Sequence, residues 1–379
     1  MIRAAVIGAS GYTGAEAARL LMGHPGFELV AASSDSDTGK PLSALYPALL
    51  GLTTKGAKEQ LSALILIKHE DALACEDIEL AFLAVPHTVA CKMAPKLLKR
   101  GVAVIDLSAD FRLNDAQVYE QWYQAQHTAP ELLEHAVYGL CEFNRTALQE
   151  KAARWHENKM GSEHVLPPLV ANPGCYPTAT TLAIAPALCF GLMDPNAPVI
   201  VNAISGVSGA GRKATATTHF CSASDDLVAY GVASHRHTPE IQQVLSGLAD
   251  CELKVVFTPH LAPLKRGMVS TVVVSLAPEL AASGAGEVTA HITKAYTDTY
   301  ADEAFISVLA AGTMPHSASV MGTNNAQVGF AYDARSKCLI ASCAIDNLGK
   351  GATTQAIQNA NIIFGFAETA GLDRLGTLV

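Results

Sequence analysis

The sequence predicts an α/β fold in two parts: a Rossmann-type doubly wound parallel sheet, then a second domain built on a mostly antiparallel or mixed sheet. Three observations carry that expectation. Across residues 3–107 short apolar runs alternate with helix-like segments, as buried parallel strands flanked by helices do. Beyond residue 174 the strand-like runs follow one another with few helices between them, which suits antiparallel or mixed pairing. Residues 352–366 then return to helical spacing, with Ala356, Ile357, Ala360, Ile363 and Phe364 forming an apolar stripe.

Taken in order, the first strand is expected at 3–7, ending at Gly8, and a helix at 14–22 offers Ala17, Ala18, Leu20 and Leu21 for packing. Further strands are expected at 27–32, 64–67, 80–85 and 102–107, the last two separated by a helix over 88–100 that Gly101 closes. Residues 114–164 are richer in charge and aromatics, with Tyr119, Trp122 and Tyr123 close together, and read as helices and loops decorating the first domain. The second domain's strands are expected at 199–204, 253–258, 269–276, 328–332 and 338–345. The first domain is therefore 1–173, completed by a C-terminal helix within 351–379, and the second is 174–350.

Composition narrows the function classes. With 379 residues, 50% hydrophobic and 16% charged, the chain has ample apolar surface to bury and is no disordered tail. A net charge of -9 argues against nucleic-acid binding, which needs a broad basic face. An anionic ligand must then be met by a few local cations. The N-terminal residues show no secretory signal pattern. The longest nearly apolar stretch, 182–193, is too short for a bilayer and contains Pro186, so no membrane association is expected. The nine cysteines include no CxxC pair, so neither a metal site nor a disulfide framework is expected. The chain reads as cytoplasmic, with mostly buried thiols.

Several loops carry candidate chemistry. Gly8, Gly11 and Gly14 space a loop (GASGYTG) directly after the first strand. Glycines there permit a tight turn and let backbone N–H groups meet a pyrophosphate at a helix N-terminus; the plain alternative is a turn without ligand. The second strand ends in Ala32, Ser33 and Ser34, where sites that prefer NAD place an acid for the ribose hydroxyls. Hydroxyls without that acid suit a 2′-phosphate and favour NADP(H), although Asp35 stands close by. Arg112, after the strand at 102–107, either holds an anionic group bidentately or pairs with Asp110.

In Asn172-Pro-Gly-Cys175-Tyr-Pro, the Pro-Gly turn precedes a helix-like run and puts Cys175 at a helix N-terminus, where the dipole favours thiolate. Of the nine cysteines, Cys175 alone combines a turn, a helix start and a neighbouring Asn. Ser205-Gly206-Val-Ser-Gly209-Ala-Gly211-Arg212-Lys213 is an anion-cradling loop or a mobile surface loop. His235-Arg-His237-Thr-Pro-Glu240 lacks a third metal ligand, so proton transfer for a cysteine nucleophile is the better reading. Lys265 and Arg266, between two strands, are turn charges or a second anion contact.

GASGYTG, GCYPTA, SGVSGAGRKA, HRHTPEI and FTPHL, in that order and with NANIIFGFAET near the end, resemble the N-acetyl-gamma-glutamyl-phosphate reductases over nearly the whole chain. The aspartate-semialdehyde dehydrogenases are the wider relatives. Lys265 departs from the pattern, and 154–164 has no counterpart and is given no function. The resemblance implies a reversible, NADPH-dependent reductive dephosphorylation of N-acetyl-L-glutamyl 5-phosphate to N-acetyl-L-glutamate 5-semialdehyde and phosphate, in arginine biosynthesis. It implies a thioester on Cys175, with His235 and His237 sharing proton transfer and orientation, and with Asn172 or the Cys175 backbone N–H facing the oxyanion. It sets Arg112, Arg212, Lys213 and Glu240 against the substrate. It sets Gly8, Ser10, Gly11, Tyr12, Thr13, Gly14, Ser33, Ser34, Ser205, Gly206 and Asn347 against NADP(H). A homotetramer or homodimer built through the second domain is also implied. The sister reaction on aspartyl phosphate, a non-catalytic NADP sensor and a cysteine acyl hydrolase are the alternatives.

Overall fold

The structure, a computed structural model, describes residues 1–51, 56, 59, 61, 64–158, 165–373, 375 and 376. It divides into two units. Met1–Pro173 with Ala352–Asp373 form the first, and Gly174–Gly351 the core of the second.

In the first unit β1 (Ile2–Ile7), β2 (Phe27–Ser33), β3 (Leu80–Leu83), β4 (Ala103–Asp106), β5 (Ala136–Tyr138) and β6 (Leu169–Ala171) form one sheet of order β2-β1-β3-β4-β6-β5. Every pairing in it is parallel. The inner strands β3 and β4 are apolar, save for Asp106 at the end of β4, because both faces are covered, and they are fully buried. Ile7, Leu83 and Asp106 are in register, so the loops after β1, β3 and β4 leave the same edge. The strand expected at 64–67 is reduced to single bridges, Ser33 with Ile67 and Pro41 with Ile65, because β2 ends at Ser33. The three-residue strands β5 and β6 were too short to show a period in the sequence. Residues 154–158 complete the helix Cys141–Asn158, while 159–164, 374 and 377–379 lie outside the described residues.

The terminal helix Thr354–Ile363 departs from the amphipathic expectation: all ten of its residues are buried. Its polar residues are tolerated there because they bond to other buried groups. Gln355 Nε2 and Asn359 Nδ2 both donate to Gly139 O, at 2.9 and 2.8 Å, and Asn361 Nδ2 donates to Ala370 O at 2.9 Å. Gln358 Nε2 reaches Glu368, which also pairs with Arg145.

In the second unit β7 (Val199–Gly206), β8 (Val228–Ala229), β9 (Val255–Ala262), β10 (Met268–Ser275), β11 (Ile306–Val308), β12 (Ala326–Asp333) and β13 (Cys338–Ile345) form a mixed sheet of order β11-β12-β13-β10-β7-β9-β8. The helix Cys175–Cys189 packs on it, and residues 176–188 of that helix are buried without exception. Pro186 inside the helix has no N–H to give Leu182 O, four residues earlier. Tyr300 Oη supplies the missing donor at 2.7 Å, and Tyr296 Oη donates to Ala183 O at 2.7 Å. Burial alternates along β7 and β10, so one face of the sheet meets this helix. Ile200, Ile204 and Val256 lie on the other face and are at least 40% exposed.

Candidate active site

In the first unit the glycine-rich loop joins β1 to the helix Tyr12–Leu21. Gly8 adopts φ +94°, and a Cβ there would lie 2.2 Å from Ala84 O; one at Gly14 would lie 2.3 Å from Gly8 O. Both positions require glycine for the protein's own packing. Gly11 does not: its nearest neighbour would be Gly8 O at 3.6 Å. It is the N-cap of the helix Tyr12–Leu21, makes no side-chain cap bond, and is followed by no acidic residue in the first turn. A glycine kept where the fold permits a side chain, before an uncapped helix N-terminus, leaves room for an anionic group against N–H donors. The loop therefore fits a dinucleotide pyrophosphate.

Around it, Ser33 O accepts the N–H of Gly8 and Ala9 at 3.1 and 2.8 Å. Ser34 Oγ donates to Ser10 Oγ at 2.7 Å. Ser10, Ser33 and Ser34 thus stand with the glycine loop, while Tyr12 and Thr13 open the helix behind it. Arg112 and Asn172 lie in the same unit. The buried Arg112 guanidinium donates to Asn172 O at 2.8 Å and Leu107 O at 3.0 Å. Asn172 Nδ2 donates to Ala352 O at 2.9 Å, and its Oδ1 accepts from Asn359 at 3.2 Å. These bonds fix the position of both side chains within the first unit.

In the second unit Cys175 is the first residue of the helix Cys175–Cys189, and Gly174 is its N-cap without a side-chain cap bond. Its thiol thus sits by N–H groups that have no intrahelical partner and by the positive end of the dipole. The buried Glu240 Oε1 accepts the Gly174 N–H at 2.9 Å, fixing the residue just before the thiol. Gly351 closes the other side: a Cβ there would lie 2.8 Å from Cys175 Cβ.

Tyr176, beside the thiol, packs edge-on against His235 and His237, with centroids 5.5 and 5.9 Å apart. His235 also meets Tyr230 and Phe257 at 5.4 Å each. Tyr230 Oη donates to Tyr176 Oη, which donates to His260 O, both at 3.1 Å. Burial, and secondarily the Arg236 charge, lowers the His235 pKa to about 4. His235 Nδ1 accepts the His237 backbone N–H at 3.1 Å, which puts the proton of the neutral ring on Nε2. Burial pushes the Tyr176 phenol far up and the Tyr230 phenol up to about 12, so both remain protonated.

Cys175, His235, His237 and Glu240 are therefore brought together. Ser205, Gly206 and Asn347 form a neighbouring group: Asn347 Nδ2 donates to Ser208 Oγ at 3.0 Å, and its Oδ1 accepts the Gly267 N–H at 2.9 Å. Arg212 and Lys213 are exposed on the loop after β7. Arg266 pairs with buried Asp346 at 3.0 Å, which leaves Lys265 as the exposed cation of that turn. Tyr230 and Gly351 were missed in the sequence, where neither stands in a motif; Tyr176, inside GCYPTA, was open to notice. The expectation of mostly buried thiols is corrected too. Only Cys91, Cys141 and Cys343 are buried, and Cys189, Cys221 and Cys251 are exposed. Among the described residues no cluster of three or more His, Cys, Asp or Glu is arranged to hold a metal ion.

The comparisons agree with both units. Residues 3–151 match the family described as semialdehyde dehydrogenase, NAD binding domain, and 175–347 match the semialdehyde dehydrogenase dimerisation domain. The fold is also that of aspartate semialdehyde dehydrogenase II complexed with ASA from Vibrio cholerae (TM-score 0.68, 16% identity, 96% of this chain and 98% of that one). The Candida albicans aspartate semialdehyde dehydrogenase with NADP gives TM-score 0.65 at 15% identity, over 96% of this chain and 98% of that one. The chain is thus an oxidoreductase of the semialdehyde dehydrogenase class. Within that class its curated relatives are named N-acetyl-gamma-glutamyl-phosphate reductase. That of Moorella thermoacetica is 42% identical over 98% of both chains. That of Desulfotalea psychrophila is 44% identical over 98% of both, and that of Neisseria meningitidis serogroup C 41% over 100% of this chain and 99% of its own. The chain belongs to the N-acetyl-gamma-glutamyl-phosphate reductase family.

Proposed function

We propose that the protein reduces N-acetyl-L-glutamyl 5-phosphate to N-acetyl-L-glutamate 5-semialdehyde, reversibly and with NADP(H), through a thioester on Cys175, as a step of arginine biosynthesis. The observation that carries the reading is Cys175 at the N-terminus of a helix whose residues 176–188 are all buried, with two histidines packed against the adjoining tyrosine.

Cys175 Sγ attacks the acyl carbon, the C–S bond forms, and the bond to the phosphate oxygen breaks. A thiolate suits both halves of the reaction, being strongly nucleophilic near neutral pH and a good leaving group when the tetrahedral carbon releases the aldehyde. The backbone N–H groups at the helix start face the developing oxyanion. NADPH, held at Gly8–Gly14 with Ser33 and Ser34, supplies the hydride when bound. His235 is held neutral with its proton on Nε2, which suits a fixed hydrogen-bond donor to the reacting oxygen. His237 then takes the proton-shuttling role. Arg212 and Lys213 are the cations offered to phosphate and carboxylate.

The exposed apolar face of the second sheet supports self-association into a dimer or tetramer, and nine free cysteines suit the cytoplasm. Among the described residues no helix is long and apolar enough to cross a membrane. The test of the substrate is phosphate-dependent reduction of NADP by N-acetylglutamate semialdehyde beside aspartate semialdehyde. Preference for the acetylated substrate supports the reading, and preference for the other replaces it by the sister reaction.

A further inference from the structure

Beyond the glycine loop, the end of β2 brings to Ser33 two residues, His69 and Asp35, that have no role in the reaction above. Ser33 Oγ and His69 Nδ1 lie 2.8 Å apart. Asp35 Oδ1 accepts the His69 backbone N–H at 2.9 Å, and Asp35 Oδ2 stands 3.8 Å from His69 Nε2. Ser33 is the same residue whose carbonyl holds the Gly8–Ala9 turn, and Ser34 bonds to Ser10. A serine, a histidine and a carboxylate are thus connected, through Ser33, to the loop that would hold the dinucleotide, at the strand end where the adenosine ribose is read.

We propose that His69 and Asp35 act together as a pH-dependent reader of the cofactor's ribose, favouring the 2′-phosphate of NADPH when His69 is protonated and the free hydroxyls of NADH when it is neutral. The inference rests on the cofactor lying at the glycine loop, as proposed above.

The chemistry has two limbs. Protonated His69 places a positive charge and a second N–H donor beside Ser33 and screens Asp35, which would otherwise repel a phosphate dianion. With His69 neutral, Asp35 is an exposed carboxylate of the kind that accepts ribose hydroxyls. Other charges nearby are already engaged or turned elsewhere. Lys40 pairs with Asp37 at 2.8 Å. Arg3 and Glu28 lie at the amino ends of β1 and β2, and Arg100 donates to Leu73 O and Cys75 O at the far end of the segment His69–Ala74. Lys68, Glu70 and Asp71 flank His69 on its own segment. Burial holds the His69 pKa below its ordinary 6.5, partly opposed by Asp35. The ring is therefore mostly neutral at neutral pH until a phosphate binds. Binding a dianion raises its pKa, so NADPH binding draws in a proton. Its affinity gain is full below the pKa of the free protein and is lost as pH rises through that of the complex.

The test is calorimetric titration of NADPH and NADH into the full chain from below the ordinary histidine pKa of 6.5 up to about pH 8, in buffers of different ionisation enthalpy. Wild type is expected to take up protons with NADPH but not with NADH, and its preference for NADPH is expected to fall as pH rises. His69→Gln is expected to abolish the uptake and weaken NADPH about tenfold at the acid end, as one unit of pKa shift requires, with NADH unchanged. Asp35→Asn, a substitution at an exposed site, is expected to tighten NADPH and weaken NADH. Comparing variant with wild type removes the titration of the phosphate itself, which both share. Wild-type proton uptake and NADPH affinity in His69→Gln overturn the inference while leaving the cofactor reading intact. Failure of the wild type to bind either dinucleotide overturns both.

Discussion

At the scale of single residues, the thiol and its immediate neighbours set the chemistry. Cys175→Ser is expected to keep the fold and dinucleotide affinity but lose at least about a hundredfold in turnover, since a hydroxyl is a poor nucleophile at neutral pH; steady-state rates beside NADPH fluorescence titration check this. Gly351→Ala tests the same centre from its other side. A methyl 2.8 Å from Cys175 Cβ must displace one of the two residues, so alkylation of Cys175 by iodoacetamide should slow while labelling of exposed Cys251 does not. His235 makes a pH prediction. Its native pKa of about 4 lies below the ordinary 6.5, so between those values the unfolded chain binds a proton that the native chain does not. Native stability is therefore expected to fall as pH drops through that window. His235→Gln should flatten the acid limb of a thermal-unfolding series. The placement of Cys175 at a helix start was legible from the Pro-Gly turn before it, whereas the packing of His235 and His237 on Tyr176 joins residues some sixty positions apart. For Arg112 the sequence places a cation at a strand end but does not show the backbone carbonyls of Leu107 and Asn172 that orient it.

At the scale of elements, the glycine loop separates what folding needs from what binding needs. Gly8→Ala forces a side chain into positive φ and against Ala84 O, and should cost about 2 kcal/mol or more in stability. Gly11→Ala should cost only about 1 kcal/mol or less in stability, because its Cβ has room and its φ of -77° suits any residue, so that only the N-cap preference for glycine over alanine is lost. It should nonetheless weaken dinucleotide binding by at least about tenfold, through loss of close backbone approach. Equal effects of the two substitutions on stability would contradict this division. Most strands were legible from short apolar runs. The terminal helix was found in the right place, but its buried polar face was not foreseen. The partners of Gln355, Asn359 and Asn361 are carbonyls such as Gly139 O, more than two hundred residues away along the chain for the first two.

At the scale of the whole molecule, a net charge of -9 coexists with an anionic substrate because the cations are local. Rate constants for substrate capture should therefore show weak electrostatic steering. The exposed Ile200, Ile204 and Val256 should be covered by a second copy. Light scattering is expected to give a dimeric or tetrameric mass for the wild type and a smaller mass for Ile204→Asp; a monomeric wild type would contradict that assignment. The two-part plan was legible because the strand pattern changes near residue 174, whereas the surface proposed for self-association depends on which side of the second sheet is left bare.

The most direct test of the central claim is to mix the protein with N-acetyl-L-glutamyl 5-phosphate in the absence of any dinucleotide, quantify released phosphate, and map covalent adducts by mass spectrometry. A thioester-bound acyl group on Cys175, formed in step with phosphate release and absent in Cys175→Ser, is the expected result. An unmodified Cys175, or an acyl group on another residue, in protein that turns over the same substrate with NADPH would contradict it.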